Sequence, residues 1–470
     1  MSTVKLIRNI MTGSHRGNTR IWIEPTVLEA AGFTVGDGVQ EIYQEKMIII
    51  KRSNNKAKII SKRKRPSWKS ERPLFEACNR NVTLIFRERC RLDLLVSDGM
   101  IVIRPIYSFD LFLVNQPLLQ GSELRKLRLY SAPAGGGMAT AALVSTGLYE
   151  AVGGVDIWPT AIDAYRHNFD DGCVYLGDIK HKHPDYVPAA DVCWLSPQCV
   201  NFSALGNQNG GITEGHGPHY ARLVLASGAR AVMIEQVPQY FKSDSYSHLK
   251  RLLKTFFPYG FEKVIDAYDV GSVASRVRGY AVFFRDRTNF HWPTLPKIPL
   301  HRRKKLSMLL GKDWINGDWK PIKGTTMEGL LNKSGSNNFK AEKNHTLVTL
   351  DSIKVSAFPF SYGKVQVTSS YLKHPEGDLW RMFRSDEIMK LLNIPDFYSF
   401  PEYMGESDRV KLLGQSIDGD VVSSFGAEVA ISLMENEYIR LSKRDHSSPC
   451  ESSNELYPIE EEEGQGAFIF

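Results

Sequence analysis

From residue 127 to residue 284 the chain repeats one unit, a short apolar run, a turn and a stretch of helical spacing. The apolar runs at 127–129, 153–157, 191–195, 231–234 and 279–284 alternate with helical stretches at 138–146, 159–168, 220–226 and 247–256. Short, uniformly apolar runs read as strands buried on both faces. Their alternation with helices predicts a doubly wound α/β sheet covered on both sides. Ligands of such sheets sit at the carboxyl ends of the strands, so the residues just after each run are the ones to read for chemistry. With 470 residues, 42% hydrophobic and 24% charged, the chain can bury a large core and form two or three domains. It has no apolar run of about 18 residues and no signal-peptide pattern, so a cytoplasmic protein with no membrane partner is expected. Its six cysteines lack CxxC or CxxH spacing, which argues against a disulfide framework and a structural zinc site; no metal is expected.

The residues at the strand ends form a consistent set. Ala134 and Gly135-Gly136-Gly137 follow the first strand and open a helix, where bare backbone can approach a ligand and free N–H groups are available. Asp156, with Ile157 and Trp158, ends the second strand, where an acid can accept hydrogen bonds from ribose hydroxyls. Gly177-Asp178-Ile179 sits where a third strand ends, between the runs at 153–157 and 191–195, and Asp178 is placed to read an exocyclic amine. The fourth leads into Ser196-Pro197-Gln198-Cys199-Val200-Asn201-Phe202-Ser203, and the fifth delivers Glu235 to the same edge. A lone cysteine and glutamate would read as a buried thiol beside a solvated acid. In company with the other strand ends they read as a nucleophile and an acid.

The flanks read differently. Residues 1–110 form a small, mostly β domain with an internal repeat. In the first copy a strand at 20–23, a helix at 25–31 and strands at 39–43 and 47–50 are expected, and in the second, strands at 81–85, 91–96 and 100–103. Asp98-Gly99 between apolar runs is a hairpin signal. The net charge of +7 is concentrated, with Lys51, Arg52, Lys56, Lys58, Lys62, Arg63, Lys64 and Arg65 in one segment and Arg302, Arg303, Lys304 and Lys305 in another, as suits a polyanionic partner. Residues 124–285 hold the first part of the α/β body. Residues 286–379 are polar, basic and turn-rich and read as a small inserted domain; residues 380–440 return to the sheet. Residues 441–470 read as a disordered acidic tail.

These motifs, in this order, resemble the cytosine-5 DNA methyltransferase family from about residue 127 to residue 435. Ala134, Gly135, Gly136, Gly137, Asp156, Ile157, Trp158, Asp178 and Ile179 look like that family's S-adenosylmethionine site. Pro197 and Cys199 lie in a version of its Pro-Pro-Cys-Gln loop, and Glu235-Gln236-Val237 is similar to its Glu-Asn-Val. Arg276-Val277-Arg278 resembles its Gln-x-Arg-x-Arg strand start, and Gly414 with Ser416 its Gly-Asn-Ser. The resemblance implies a Rossmann-like methyltransferase sheet, with residues 286–379 as target-recognition domain and double-stranded DNA as partner. Cys199 would add to cytosine C6, Glu235 would serve N3, Arg276 would stand near O2 and Arg278 would support it. The first copy of the N-terminal repeat resembles AbrB-like swapped-hairpin DNA-binding domains, normally built from two chains. The sequence departs from the methyltransferase pattern at Tyr130, Ala132, Ala134, Gln198, Val200, Gln236 and Ala274. An RNA cytosine or modified-donor enzyme, and an inactive DNA-binding regulator, therefore stay open as alternatives.

Overall fold

The computed structural model describes residues 4–44, 47–55, 58–66, 68, 70–86, 88–105, 125–169, 173–198, 215–293, 298–332 and 340–445, with side chains to residue 436. Cys199, Val200 and residues 446–470 lie outside them; residues 441–445, read from the sequence as the start of a disordered tail, are instead the last turn of a helix. The N-terminal unit comprises β1 (Leu6–Met11), β2 (Gly13–His15), β3 (Asn18–Ile23), α1 (Pro25–Ala30), β4 (Val39–Gln44), β5 (Met47–Arg52), β6 (Ser61–Arg63), β7 (Arg72–Cys78), α2 (Arg80–Ile85), β8 (Arg91–Ser97) and β9 (Met100–Pro105). The α/β body follows as β10 (Leu127–Ala132), α3 (Met138–Val144), β11 (Tyr149–Asp156), α4 (Pro159–Asn168), β12 (Cys173–Leu176), β13 (Val192–Leu195), α5 (Gly217–Ser227), β14 (Ala231–Gln236), α6 (Asp244–Lys254), β15 (Tyr259–Asp266) and β16 (Val277–Phe284). Then come α7 (Leu306–Leu310), β17 (Lys320–Pro321), α8 (Thr326–Leu331), β18 (Leu347–Val348), β19 (Tyr371–Lys373), β20 (Leu379–Arg381), α9 (Ser385–Leu391), α10 (Glu406–Gly414) and α11 (Gly419–Asp445). Among the described residues no helix is long and apolar enough to cross a membrane.

The doubly wound sheet is present. β12, β11, β10, β13 and β14 are parallel neighbours in that order, and β16 and β15 close one side antiparallel. β13 and β14 are buried along their whole length, as strands with helices on both faces must be. On the other side the sheet does not end. β1 pairs in parallel with β12, and β8, β9, β5 and β4 follow, so that twelve described strands hydrogen-bond into one sheet. The small β domain expected at the N-terminus is thus joined edge to edge to the doubly wound sheet, which covers the exposed backbone of β12. A smaller sheet, β17-β20-β19-β18, lies within the basic insert and its return.

One expected strand is a helix. Residues 81–85 form the body of α2, because the Asn79 side chain accepts a hydrogen bond from the Val82 N–H at 3.0 Å and caps it. A side-chain cap outweighs the weak β preference of so short a run. β7, just before it, was not among the expected strands.

A buried ion pair adds a second tie between the N-terminal unit and the body. Arg72 on β7 reaches Asp163 on α4 at 3.0 Å, and its Nε donates to Glu29 at 2.8 Å. Its guanidinium also lies 4.3 Å from the Tyr403 ring centroid. Breaking a buried pair leaves a charge without compensation, so Arg72→Ala is expected to cost about 3–5 kcal/mol. Denaturant unfolding would read this as a lowered midpoint. A loss below about 1 kcal/mol would mean the tie is no stronger than a surface pair.

Candidate active site

The carboxyl ends of β10 to β14 surround one cavity of about 530 Å³, within the size range of small-molecule sites. Its wall collects residues far apart in sequence: 133–139, 156–158, 177–179, 196–198, Glu235, Gln236, Arg278 and 414–417. Of the residues singled out from the sequence, Ala134, Gly135, Gly136, Gly137, Asp156, Ile157, Trp158, Asp178, Ile179, Pro197, Glu235, Arg278, Gly414 and Ser416 all line it. Cys199, one residue beyond the cavity-lining Gln198, lies outside the described residues.

One end of the cavity is built on the glycine turn. Gly137 caps α3 in the left-handed region at φ +89°. Asp156 fixes the turn from the next strand, its carboxylate accepting the Gly135 N–H and the Trp158 N–H, both at 2.9 Å. Burial raises its pKa, and these backbone donors oppose the rise. Each carboxylate oxygen keeps a lone pair for a ligand hydroxyl. The Asp178 carboxylate accepts the Lys180 N–H at 2.9 Å. Tyr398 closes the turn from behind by donating to the Gly136 carbonyl at 2.7 Å. Gly414 packs so closely on Pro359 that any Cβ would collide with its carbonyl. Two polar atoms at the wall, Ser416 Oγ and His216 Nε2, are buried without a hydrogen-bond partner among the described residues, as expected where a polar ligand completes the set.

Gly137→Ala tests the turn. A Cβ there would lie 3.0 Å from the Tyr165 and Phe169 rings, on a backbone that L side chains disfavour by about 1–2 kcal/mol. Relaxing that strain would turn the N–H groups away, so if the turn holds the S-adenosyl ligand that the sequence resemblance implies, affinity for S-adenosylhomocysteine is expected to fall about tenfold by calorimetry, at about 1.4 kcal/mol per decade. Unchanged affinity would remove the turn from the ligand site.

The other end of the cavity holds acid and cation. Glu235 is buried; its Oε1 pairs with Arg278 Nε at 3.0 Å, and its Oε2 accepts the Ser196 hydroxyl at 3.0 Å. Gln236, in place of the family's asparagine, still braces the cysteine loop. Its amide donates to the Pro197 carbonyl, and its oxygen accepts the Val237 N–H at 2.7 Å.

Here the structure corrects one expectation. Arg276 does not face the cavity. It is fully buried and donates to the carbonyls of Phe358, Gly414 and Ser416. Side chains two apart on a regular strand share a face, but β16 starts only at Val277, so Arg276 lies outside that repeat and turns away from the acid. Arg278 is the cation beside Glu235, and Arg276 holds the 414–416 turn in place.

Several contributors were not foreseen. Phe360, within the stretch read as the insert, lines the cavity and packs edge-on against Trp158 with centroids 6.0 Å apart. Ser196, His216, Tyr220 and Tyr398 were also missed. Only Ser196, next to the cysteine loop, carried a local signal.

No curated protein matches the chain. Among solved structures, the Dnmt2 methyltransferase of S. pombe superposes with TM-score 0.52 at 19% identity, covering 66% of this chain and 99% of that one. The Entamoeba histolytica methyltransferase EhMeth gives TM-score 0.51 at 17% identity, covering 67% and 99%. At such identities the likeness is one of fold. Residues 127–430 match the family described as C-5 cytosine-specific DNA methylase. That span takes in the whole cavity wall, the glycine turn at one end and the Glu235–Arg278 pair at the other, and the chain belongs to this family.

Proposed function

We propose that the chain methylates C5 of cytosine in double-stranded DNA, with S-adenosylmethionine as donor and Cys199 as nucleophile. The observation that carries this is a cavity with a nucleoside-type turn at one end and a buried acid–cation pair at the other. The donor fits the turn: Asp156 has lone pairs for ribose hydroxyls, Trp158 and Phe360 offer aromatic faces, and Ser416 Oγ and His216 Nε2 await partners. S-adenosylmethionine, when bound there, supplies an electrophilic methyl group.

Cytosine C5 is a poor nucleophile until a thiolate adds to C6. In that step the new S–C6 bond pushes the ring electrons toward N3 and O2. Glu235 would give a proton to N3, while Arg278 stabilises the charge growing near O2 and holds the carboxyl in position. Ser196 fixes the remaining carboxyl oxygen. Once C5 carries the methyl group, loss of its proton and departure of the thiolate restore the aromatic ring. A base paired in a duplex cannot reach such a cavity, so the cytosine must swing out of the stack.

The basic segments favour a duplex partner. We assign the N-terminal unit to it as well. Its strand–helix–hairpin order occurs twice, and corresponding strands pair with each other, β3 with β7 and β5 with β9. AbrB-like swapped-hairpin domains reach such an arrangement with two chains. The test is incubation with methyl-labelled S-adenosylmethionine and duplex DNA, followed by digestion to nucleosides. Label in 5-methyldeoxycytidine is expected. Label only on another base, or only in RNA offered alongside, would refute the proposal.

A further inference from the structure

The carboxyl edge of the sheet continues past the cavity into the N-terminal unit. β1 runs parallel to β12 with Arg8 level with Leu176, so Asn9 comes to lie beside Gly177, where a Cβ would be 2.8 Å from the Asn9 Cβ. β8 returns antiparallel and sets Arg91 opposite Met11 at that same edge. In the turn before it, the Arg89 N–H donates to the Thr12 carbonyl at 3.1 Å. The chain beyond Thr12 forms the β2–β3 hairpin, with Arg16 at its tip. On the cavity side, the turn Ile179–His181 presents Lys180. Arg222 holds this turn by donating to the carbonyls of Ile179, Lys180 and Lys182 at 2.9, 3.3 and 3.1 Å.

Lys180, Arg91, Arg89 and Arg16 thus follow one another from the cavity mouth along the edge. Among the described residues no carboxylate pairs with any of their side chains. Of the acids nearby, Asp178 accepts a backbone N–H and its charge opposes the cations at His181 and His219, Asp185 lies 3.4 Å from His183, Glu88 is exposed, and Glu76, which shares a pocket with Arg16, pairs with Arg20 at 2.8 Å. The neighbouring imidazoles report the same field. Burial, then Arg91, lowers the pKa of His181; burial, then Arg222, His216 and Lys180, pushes His219 down to about 4.

The backbone gives independent support. Arg16 and Arg89 adopt left-handed conformations, φ +50° and +57°, and both are exposed. Glycine or asparagine would take these positions with less strain. Neither arginine side chain has a hydrogen bond or ion pair among the described residues, so nothing among those residues accounts for their charge there.

We propose that this edge is a track for the sugar–phosphate backbone of the duplex, on one side of the base that enters the cavity. It rests on the DNA substrate proposed above. From β13, which leads to Cys199, to β1 there are four strand steps, or about 19 Å at about 4.8 Å each. At about 3.4 Å per base pair the track meets phosphates about six base pairs from the target.

Deleting the N-terminal unit would uncover the edge of β12, so the track is tested in the full chain with point substitutions. In Arg16→Gly/Arg89→Gly/Arg91→Gln the two glycines suit the local backbone, and the thermal midpoint should not fall. Binding to a mixed-sequence duplex of about 36 base pairs is titrated against salt by fluorescence anisotropy. The variant should bind at least tenfold more weakly at about 0.1 M salt, with the slope of log K against log salt reduced by about 2 to 3. Wild-type affinity and slope in the variant, from a wild-type chain that methylates duplex DNA, would overturn the track alone. A wild-type chain that binds folded RNA but not the duplex would overturn the DNA proposal and the track with it.

Discussion

Cys199→Ser is expected to lower methyl transfer by at least about 10³-fold while leaving duplex affinity within about twofold of wild type. The first effect follows from chemistry: at neutral pH a thiol is partly ionised and strongly nucleophilic, whereas a serine hydroxyl needs a strong base beside it. The second follows from position, since the covalent bond forms only after the base has entered the cavity. Single-turnover methylation and anisotropy measured on the same preparation separate the two. Retained turnover in Cys199→Ser would discard the covalent mechanism, and lost affinity would instead make the residue part of the loop's architecture.

The second large effect concerns the Glu235–Arg278 pair. Glu235→Gln removes the transferable proton while keeping the shape, and a loss of about 10²–10⁴-fold in the chemical step is expected. Arg278→Ala should fall in the same range, and the double variant should be little worse than either single one, because the two groups act as one ion pair. Arg276→Met should behave differently. Its guanidinium holds three carbonyls inside the protein, so the thermal midpoint should drop along with activity. A folded, fully stable Arg276→Met that loses only turnover would reverse the exchange of roles between the two arginines.

The order of strands and glycine turns could be read directly from the chain because the parallel strands carry short apolar runs and each motif sits at a strand end. Asp156, Asp178, Glu235 and the glycine turn needed only that periodicity to be placed. What stayed hidden depends on three-dimensional register. Arg276 and Arg278 are two residues apart, and no composition or spacing says which one turns inward. Phe360 reaches the cavity, and Tyr398 the back of its glycine turn, from segments more than a hundred residues downstream of Glu235, with no local pattern to announce them. The joining of β1 to β12 was invisible for the same reason: an edge strand in a small β unit looks alike whether its free side meets water or another sheet. The misread α2 shows the opposite failure, a run of β-formers turned helical by one capping side chain at Asn79.

The most direct test of the central claim is a covalent trap. The full chain is incubated with S-adenosylmethionine and a library of duplexes in which 5-fluorocytosine replaces cytosine; its fluorine cannot leave as the C5 proton does. A denaturation-resistant protein–DNA adduct, absent without the donor and absent in Cys199→Ser, is the predicted result. An adduct that persists in Cys199→Ser, or methylation of ordinary cytosine with no adduct on its fluorinated counterpart, would contradict the account.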